Sequence, residues 1–331
     1  MSKTKNNDFP LANYTDELAE RLRTLVSAAL HEGDVNAIHQ ARVTTRRLRA
    51  AMDLLRPVIP PKARKPVTKT LKRLRKQLGP LRDADVMLSH LDDLKRYPKH
   101  AAAINWMEKH LQIHREEALK KALSDTPPAK TLAKLGSWWG VREQIASARE
   151  QVDLLLAHSL HRQLDDFTAA ADPLLNQSDK TAPAANPHAI RIAGKLLRYT
   201  VEMAEVEGHE LPKNVLRSFK KMQEALGTWH DFVVFTETAM ELSVEQILPA
   251  TDAAMQQRVL DLCALAIRRA QSYLAKFVDL WKSRGEEISD AIRAAFPDPR
   301  EIIEPKTDRD LPGSTELPAP AISDAARPAA F

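Results

Sequence analysis

Two eleven-residue stretches decide the fold: HQARVTTRRLR at residues 39–49 and HAIRIAGKLLR at residues 188–198. They align without a gap, and in both stretches the first residue is histidine while the fourth, eighth and eleventh are basic. Side chains spaced three or four residues apart share one face of an α-helix. Each stretch therefore predicts an amphipathic helix with one cationic face.

A second pair of stretches follows in the same order. KRLRKQLGPLRD at residues 72–83 aligns with KKMQEALGTWHD at residues 220–231. Two matched blocks at nearly equal separation indicate an internal duplication of about 140–150 residues. We expect each copy to form a four-helix bundle, the first within residues 11–150 and the second within residues 151–296.

The composition supports an all-α fold. Of 331 residues, 44% are hydrophobic, only 9 are glycine and 5% are aromatic. The chain is too apolar to be wholly disordered, and too poor in glycine and aromatic residues for a turn-rich β-sandwich or barrel. Alanine, leucine and long charged residues, which favour helices, are abundant.

Glycine and proline predict where the helices break. Residues 34–56 are expected to form one helix that begins with an aspartate N-cap, and residues 63–78 another that ends at Gly79. Asp83 and Asp231 follow the two Leu-Gly pairs, so we expect them to N-cap the next helices.

The two ends of the chain differ from its middle. Residues 1–10 are expected to be flexible, and residues 297–331, with seven prolines and an excess of acids, to form a disordered tail. The single cysteine, Cys263, can form neither an intrachain disulfide nor a Cys-based zinc site. No stretch is apolar enough for a signal peptide or a membrane span, so we expect a cytoplasmic protein.

The positive charge is concentrated in one segment. Residues 39–82 contain 14 Arg and Lys against one acid, Asp53, whereas the whole chain carries a net charge of +5. Basic side chains on successive turns repel one another, and an extended anion along the helix would relieve that repulsion. The forked guanidinium group of arginine, mixed with lysine and histidine, suits phosphate. We expect Asp53 and Glu202, at equivalent positions of the two copies, to orient the arginine one turn before each.

His39 and His188 lead the two cationic faces from equivalent positions, which favours contact with the ligand. We expect neighbouring guanidinium groups to keep both imidazoles neutral until a polyanion binds. Affinity should then rise below about pH 6.5.

These motifs resemble the CHAD family of histidine-bearing, polyphosphate-binding α-helical domains over about residues 11–295. The resemblance implies two four-helix bundles related by pseudo-twofold symmetry, with inorganic polyphosphate in a central basic groove or pore. It assigns ligand-binding roles to His39, Arg42, Arg46, Arg47, Arg49, Lys72, Arg73, Lys76, Arg82, His188, Arg191, Lys195, Arg198, Lys220 and Lys221. The second copy departs from the pattern, because Leu196 stands opposite Arg47 and His230 opposite Arg82.

The resulting hypothesis is non-catalytic binding of inorganic polyphosphate, with no cofactor, no metal ion and no membrane involved. Localisation on polyphosphate granules, or regulation of polyphosphate, is implied by the resemblance alone. The E-x-E-x-K signature of the triphosphate-hydrolysing tunnel domain that often accompanies the family is absent from this sequence.

Three other functions stay open. Phosphate contacts alone would also give sequence-independent nucleic-acid binding, although the segment between Tyr14 and Tyr97 contains no aromatic residue on which bases could stack. A purely structural protein would neutralise the basic rows with its own acidic faces. A metal-dependent phosphohydrolase would use histidines at helical spacing or beside an acid. The pairs of that kind are His230 with Asp231, His110 with His114, and His158 with His161.

Overall fold

The computed structural model of the chain describes residues 9–175, 186–245 and 253–296. Within these ranges the chain is almost entirely helical and contains no β-strand, which confirms the all-α prediction. The ten α-helices of the described residues are α1 (Pro10–Ser27), α2 (Val35–Leu54), α3 (Pro61–Leu94), α4 (Ala101–Asp125), α5 (Pro128–Leu135), α6 (Trp138–Ala146), α7 (Val152–Ala171), α8 (Pro187–Val206), α9 (Lys213–Glu245) and α10 (Ala253–Ala295).

The two helices that carry the histidine-led motifs begin at side-chain caps. The Asp34 carboxylate accepts a hydrogen bond from the Ala37 N–H at 2.6 Å, so the predicted N-cap of α2 is confirmed. The Asn186 side chain accepts from the first-turn N–H groups of α8, including that of His188 at 3.1 Å. Such caps satisfy donors that have no partner inside the helix.

The sequence predicted that this helix ends at Gly79. Instead, α3 continues as one helix through Pro80. Helix α9 likewise continues through Gly227. The reason lies in the apolar residues of α3, which recur at every third or fourth position and are buried on both sides of Pro80. Each contributes about 1.5–3 kcal/mol, and together they exceed the cost of about 3 kcal/mol for a proline inside a helix. Asp83 and Asp231 therefore lie in mid-helix, and the prediction that they are N-caps is wrong.

Buried apolar residues form two cores. The larger core lies between α1, α2, the first half of α3, the end of α4, helices α5 to α8, the first half of α9 and the second half of α10. The smaller core lies between the second half of α3, α4, the second half of α9 and the first half of α10. Along α3 the change from one core to the other falls between Leu81 and Met87, and along α9 between Leu226 and Phe232.

The aligned sequence blocks lie on helices of matching length. Helices α2 and α8 have 20 residues each, and α3 and α9 have 34 and 33. Both cores contain residues from the two expected copies, 11–150 and 151–296. The division into two separate bundles near residue 150 stays a prediction.

The predicted tail at residues 297–331 and most of the predicted flexible segment at residues 1–10 lie outside the described residues. Of that segment, Phe9 is buried and Pro10 begins α1. Among the helices that the structure describes, none combines the length and the apolar character needed to cross a bilayer.

Candidate functional site

A cavity of about 320 Å³ opens where α2, α3, α8 and α9 meet. It lies at the level where α3 and α9 pass from one core to the other. The residues that line it are His39, Arg42, Val43 and Arg46 of α2, Arg82, Asp83, Val86 and Met87 of α3, Arg191 and Lys195 of α8, and Gly227, His230, Asp231 and Val234 of α9.

A second cavity, of about 400 Å³, adjoins the first between α2 and α8. Three residues line both cavities: Arg46, Arg191 and Lys195. The other lining residues of the second cavity are Arg49, Ala50, Asp53, Arg75, Ile192, Leu196 and Tyr199. We call the two cavities together the cationic cleft, because seven Arg and Lys side chains line it against three Asp.

Residues that the sequence alignment matched line the same cavity of this cleft. The cationic rows of α2 and α8 form two of its walls, and the aligned ends of the second block supply the rest from α3 and α9. The matched pairs are Arg42 with Arg191, Arg46 with Lys195, Arg82 with His230, and Asp83 with Asp231.

The position of Arg42 is set by its contacts with α3. Its Nη1 donates a hydrogen bond of 3.1 Å to the Arg75 carbonyl oxygen, one turn before Gly79. Its Nη2 lies 3.8 Å from an oxygen of Asp83, a contact at the limit of an ion pair. Burial lowers the pKa of Arg42 to about 10, despite the opposing effect of the Asp83 carboxylate. Arg42 is therefore a fixed positive charge in the cleft.

Arg46 and Arg191 are the two arginines that line both cavities of the cleft. In the part of the chain that the structure describes, neither pairs with a carboxylate, and the buried Nε of Arg191 has no hydrogen-bond partner. Burial, with the charge of Arg46, lowers the pKa of Arg191 against the opposing effect of the Asp231 and Asp83 carboxylates. A desolvated guanidinium group without a direct ion pair gains more from an incoming anion than one that is already paired.

Lys195 is the most strongly perturbed cation of the cleft. Burial, together with the guanidinium charges of Arg191 and Arg46, lowers its pKa to about 7. Helix α8 approaches α9 closely one residue earlier, since a β-carbon at Gly194 would stand 2.1 Å from Gln223 Nε2. This close approach helps to hold Lys195 inside the cleft.

The histidines of the cleft are held in the neutral form. Burial, followed by the charges of Arg82 and Arg46, lowers the pKa of His39. Burial and Arg191 lower the pKa of His230 to about 4. His188 is exposed and lies outside the two cavities, with its ring centre 5.2 Å from that of His230.

Two of the expected ligand residues are engaged by one carboxylate instead. Glu202 lies 2.8 Å from Arg47 Nε and 3.1 Å from Arg198 Nε, and so joins α2 to α8. Burial and the nearby Glu202 raise the pKa of Tyr14 to about 12. Neither arginine lines the cleft, so this cluster acts on the spacing of the two walls.

The predicted pair of Arg49 with Asp53 in the first copy is looser than the ion pairs of Glu202 in the second. Asp53 lies 3.7 Å from Arg49 Nε and 2.7 Å from Arg56 Nη2. Arg49 and Asp53 both line the second cavity. Because these side chains are more exposed than those around Glu202, the pairs restrain Arg49 only weakly.

The remaining candidate residues lie on outer surfaces. The exposed side chains that line neither cavity of the cleft are Lys72, Arg73, Lys76, Lys220 and Lys221. Arg73 donates to the carbonyl oxygen of Asp125 on the far side of α3, and Lys220 lies 3.8 Å from Glu224. The structure thus brings together seven of the predicted residues: His39, Arg42, Arg46, Arg49, Arg82, Arg191 and Lys195.

Sequence reasoning missed several cleft residues. Asp83 and Asp231 were assigned to helix caps, and Arg75 and Tyr199 were given no ligand role, yet all four line the cleft. The signal for the aspartates was their place in the aligned second block. His230 also belongs here, because it occupies the position that Arg82 has in the first copy.

The chemistry of the cleft is that of an anion-binding surface. Its fixed guanidinium groups supply forked donors for phosphate oxygens, while its three carboxylates neutralise fewer than half of the cations. Within the described ranges, no group of three or more His, Cys, Asp and Glu side chains is placed to hold a metal ion.

Comparison with known families bears on this site. The family model described as the CHAD domain matches residues 13–239, which is more than half of the chain. This chain belongs to the CHAD domain family. The CHAD match includes every residue that lines the cationic cleft.

Solved structures support the CHAD fold. The CHAD domain from the plant Ricinus communis is 23% identical, with a TM-score of 0.55, and the alignment covers 87% of this chain and 90% of that chain. PptA from Streptomyces chartreusis is 19% identical, with a TM-score of 0.56, and the alignment covers 81% of this chain and 99% of that chain. No curated protein matches the chain.

Proposed function

We propose that this CHAD protein binds inorganic polyphosphate in the cationic cleft and does not hydrolyse it. The observation that carries the proposal is the shared position of Arg46, Arg191 and Lys195, which line both cavities of the cleft. A ligand that passes from one cavity to the other meets cations from both histidine-led helices. A linear chain with one negative charge per phosphate fits that arrangement, and the resemblance to CHAD domains names the same ligand.

The cleft favours a phosphate chain without bases over a nucleic acid. Sequence-independent binding of single strands uses aromatic rings on which bases stack, at about 1–3 kcal/mol per base. Among the residues that line the two described cavities, Tyr199 is the only Phe, Tyr or Trp. The protein would therefore reside where polyphosphate accumulates, for example on cytoplasmic granules, and would regulate its availability.

Calorimetric titration with polyphosphates of graded length tests the proposal. The key variant is Arg46→Ala/Arg191→Ala, since neither arginine has a carboxylate partner within the described ranges. A matched control is Arg258→Ala/Arg268→Ala, which removes two exposed arginines outside the cleft. We expect the cleft variant to weaken binding by about tenfold or more and the control by less than about twofold.

A second arm addresses specificity and catalysis. An equally charged oligodeoxythymidylate should bind much more weakly than polyphosphate at the same ionic strength. Phosphate release from polyphosphate, followed with Mg²⁺ and Mn²⁺ present, should stay at the level of the buffer. Equal losses in the two double variants, equal binding of the nucleic acid, or turnover of polyphosphate would each overturn the proposal.

A further inference from the structure

A separate cavity of about 330 Å³ lies on the outer side of α3, where α3 meets the α4–α5 turn and α5. It shares no residue with the cationic cleft. The residues that line it are Pro66, Lys69, Thr70 and Arg73 of α3, Asp125 at the end of α4, Thr126 and Pro127 of the turn, Lys130, Thr131, Ala133 and Lys134 of α5, and Ser137 beyond it.

The charge of this outer cavity is positive. Four cations, Lys69, Arg73, Lys130 and Lys134, line it against one acid, Asp125. Among the described residues none of the four cations forms an ion pair with a carboxylate. The Asp125 carboxylate accepts a hydrogen bond of 3.0 Å from the Gln77 amide, and its carbonyl oxygen accepts from Arg73. Arg73 is thereby held at the cavity while most of its charge stays uncompensated.

An unsatisfied hydroxyl group points independently to a ligand. Thr126 lines the cavity and is only 4% exposed, yet its buried hydroxyl has no hydrogen-bond partner in the described structure. Leaving such a group unpaired costs about 1–3 kcal/mol. A neighbouring donor is also free, because Lys130 lies in the first turn of α5, where backbone N–H groups have no acceptor within the helix.

We propose that this outer cavity is a second anion site, which binds a short chain of linked phosphates. The phosphate oxygens would accept from Arg73, the lysines and the first turn of α5, and one of them would accept the Thr126 hydroxyl proton. The chain could be the triphosphate of a nucleotide or a stretch of a longer polyphosphate. The second source rests on the proposed function of the cleft.

The helical geometry of α3 allows one long ligand to reach both sites. Arg75 faces the cleft and Arg73 faces the outer cavity, about 160° apart around the helix at 100° per residue. The exposed side chains of Lys72 and Lys76 lie on the solvent arc between these two arginines. A chain that leaves the cleft would therefore cross a basic surface before it reaches the outer cavity.

Calorimetry of the full chain with inorganic tripolyphosphate tests the proposal. In the Arg46→Ala/Arg191→Ala background, which removes the cleft cations, we expect one residual binding event. Adding Lys130→Glu/Lys134→Glu should weaken that event by about tenfold or more. The matched control is Lys120→Glu/Lys121→Glu on α4, which reverses two exposed charges outside every cavity described above and should leave the event within about twofold.

A single variant separates a ligand role from a structural one. Thr126→Val removes the unpaired hydroxyl with little change of shape, so it should keep or raise the melting temperature while it weakens tripolyphosphate binding at the outer cavity by about threefold or more. A structural hydroxyl would instead lower the melting temperature on removal.

ATP and long-chain polyphosphate identify the source of the phosphates. Binding of ATP as tight as that of tripolyphosphate supports a nucleotide; a loss in Lys130→Glu/Lys134→Glu that appears only for long polyphosphate supports a shared chain. No residual event in the cleft variant, with no effect of Lys130→Glu/Lys134→Glu on any of these ligands, overturns the second site and leaves the cleft proposal intact. Residual binding that depends on Lys130 and Lys134, with no loss caused by the cleft variant, supports the second site and overturns the cleft proposal.

Discussion

The guanidinium group of Arg42 lies against Gly79: a β-carbon added at Gly79 would stand 3.2 Å from Arg42 Nη1. The same nitrogen donates to the carbonyl oxygen of Arg75. The glycine therefore leaves room for a cleft arginine to contact the backbone of α3. The Leu-Gly motif, which suggests a helix end in the sequence, has a positioning role in the structure.

Gly79→Ala should displace Arg42 by a few tenths of an ångström and weaken polyphosphate binding by about threefold. Its matched control is Gly140→Ala on α6, because a β-carbon there meets nothing within 4 Å and Gly140 lines neither cavity of the cleft. Alanine in place of glycine inside a helix should stabilise that control by about 1 kcal/mol and leave its affinity within about twofold. Titration calorimetry and thermal unfolding of both variants measure these effects. Equal affinities for the two variants would remove the positioning role of Gly79.

Polyphosphate binding should take up protons at pH 8. The pKa of Lys195 in the empty cleft is about 7, so at pH 8 the amine is mostly neutral. A bound polyanion favours the ammonium form and raises that pKa, so affinity should fall as the pH rises above about 7. Lys195→Arg, which stays charged, should lose most of this dependence. Titrations in buffers of different ionisation enthalpy count the protons, and a count of zero for the wild type at pH 8 would contradict the assignment.

Lys195 should also lower the stability of the empty protein near neutral pH. Its folded-state pKa of about 7 lies below the ordinary value of 10.5, so the unfolded chain binds more protons between these values and stability rises with pH across that window. Lys195→Met should flatten this rise and stabilise the protein at pH 7 by about 1 kcal/mol, while it weakens polyphosphate binding. Urea unfolding at pH 6, 7, 8 and 9 measures both slopes. An unchanged slope in the variant would show that Lys195 is not the group responsible.

Removing the Glu202 charge should cost stability, since Arg47 and Arg198 would both lose their carboxylate. We expect Glu202→Gln to lower the free energy of unfolding by about 2 kcal/mol. The equivalent change in the first copy, Asp53→Asn, affects more exposed pairs and should cost less than about 1 kcal/mol. Urea unfolding compares the two, and equal costs would mean that the Glu202 ion pairs contribute no more to stability than the exposed Asp53 pairs.

Local patterns predicted the walls of the cleft. His39, Arg42, Arg46 and Arg49 recur at three- and four-residue spacing on α2, and all four line the cleft. Arg47 lies about 100° from Arg46 around the helix, and it contacts Glu202 instead. Periodicity within α2 therefore predicted most of the side chains that this helix presents to the cleft.

The cleft residues that periodicity did not predict are determined by how neighbouring helices pack. The basic residues of α3 surround much of its circumference, and packing against α2 and α5 decides that Arg75 faces the cleft while Arg73 faces the outer cavity. A glycine-proline pair usually ends a helix. In α3 the buried residues on either side of the pair keep the helix continuous. The aligned second block marked Asp83 as a candidate, but its position in mid-helix follows only from that continuity.

A crystal structure of the protein with bound polyphosphate tests the central claim most directly. We predict phosphate oxygens within hydrogen-bond distance of Arg46, Arg191 and Lys195, with the chain passing from the first cavity of the cleft into the second. A polyphosphate chain that binds only to exposed lysines of α3, and leaves these three side chains without a phosphate contact, would contradict the account.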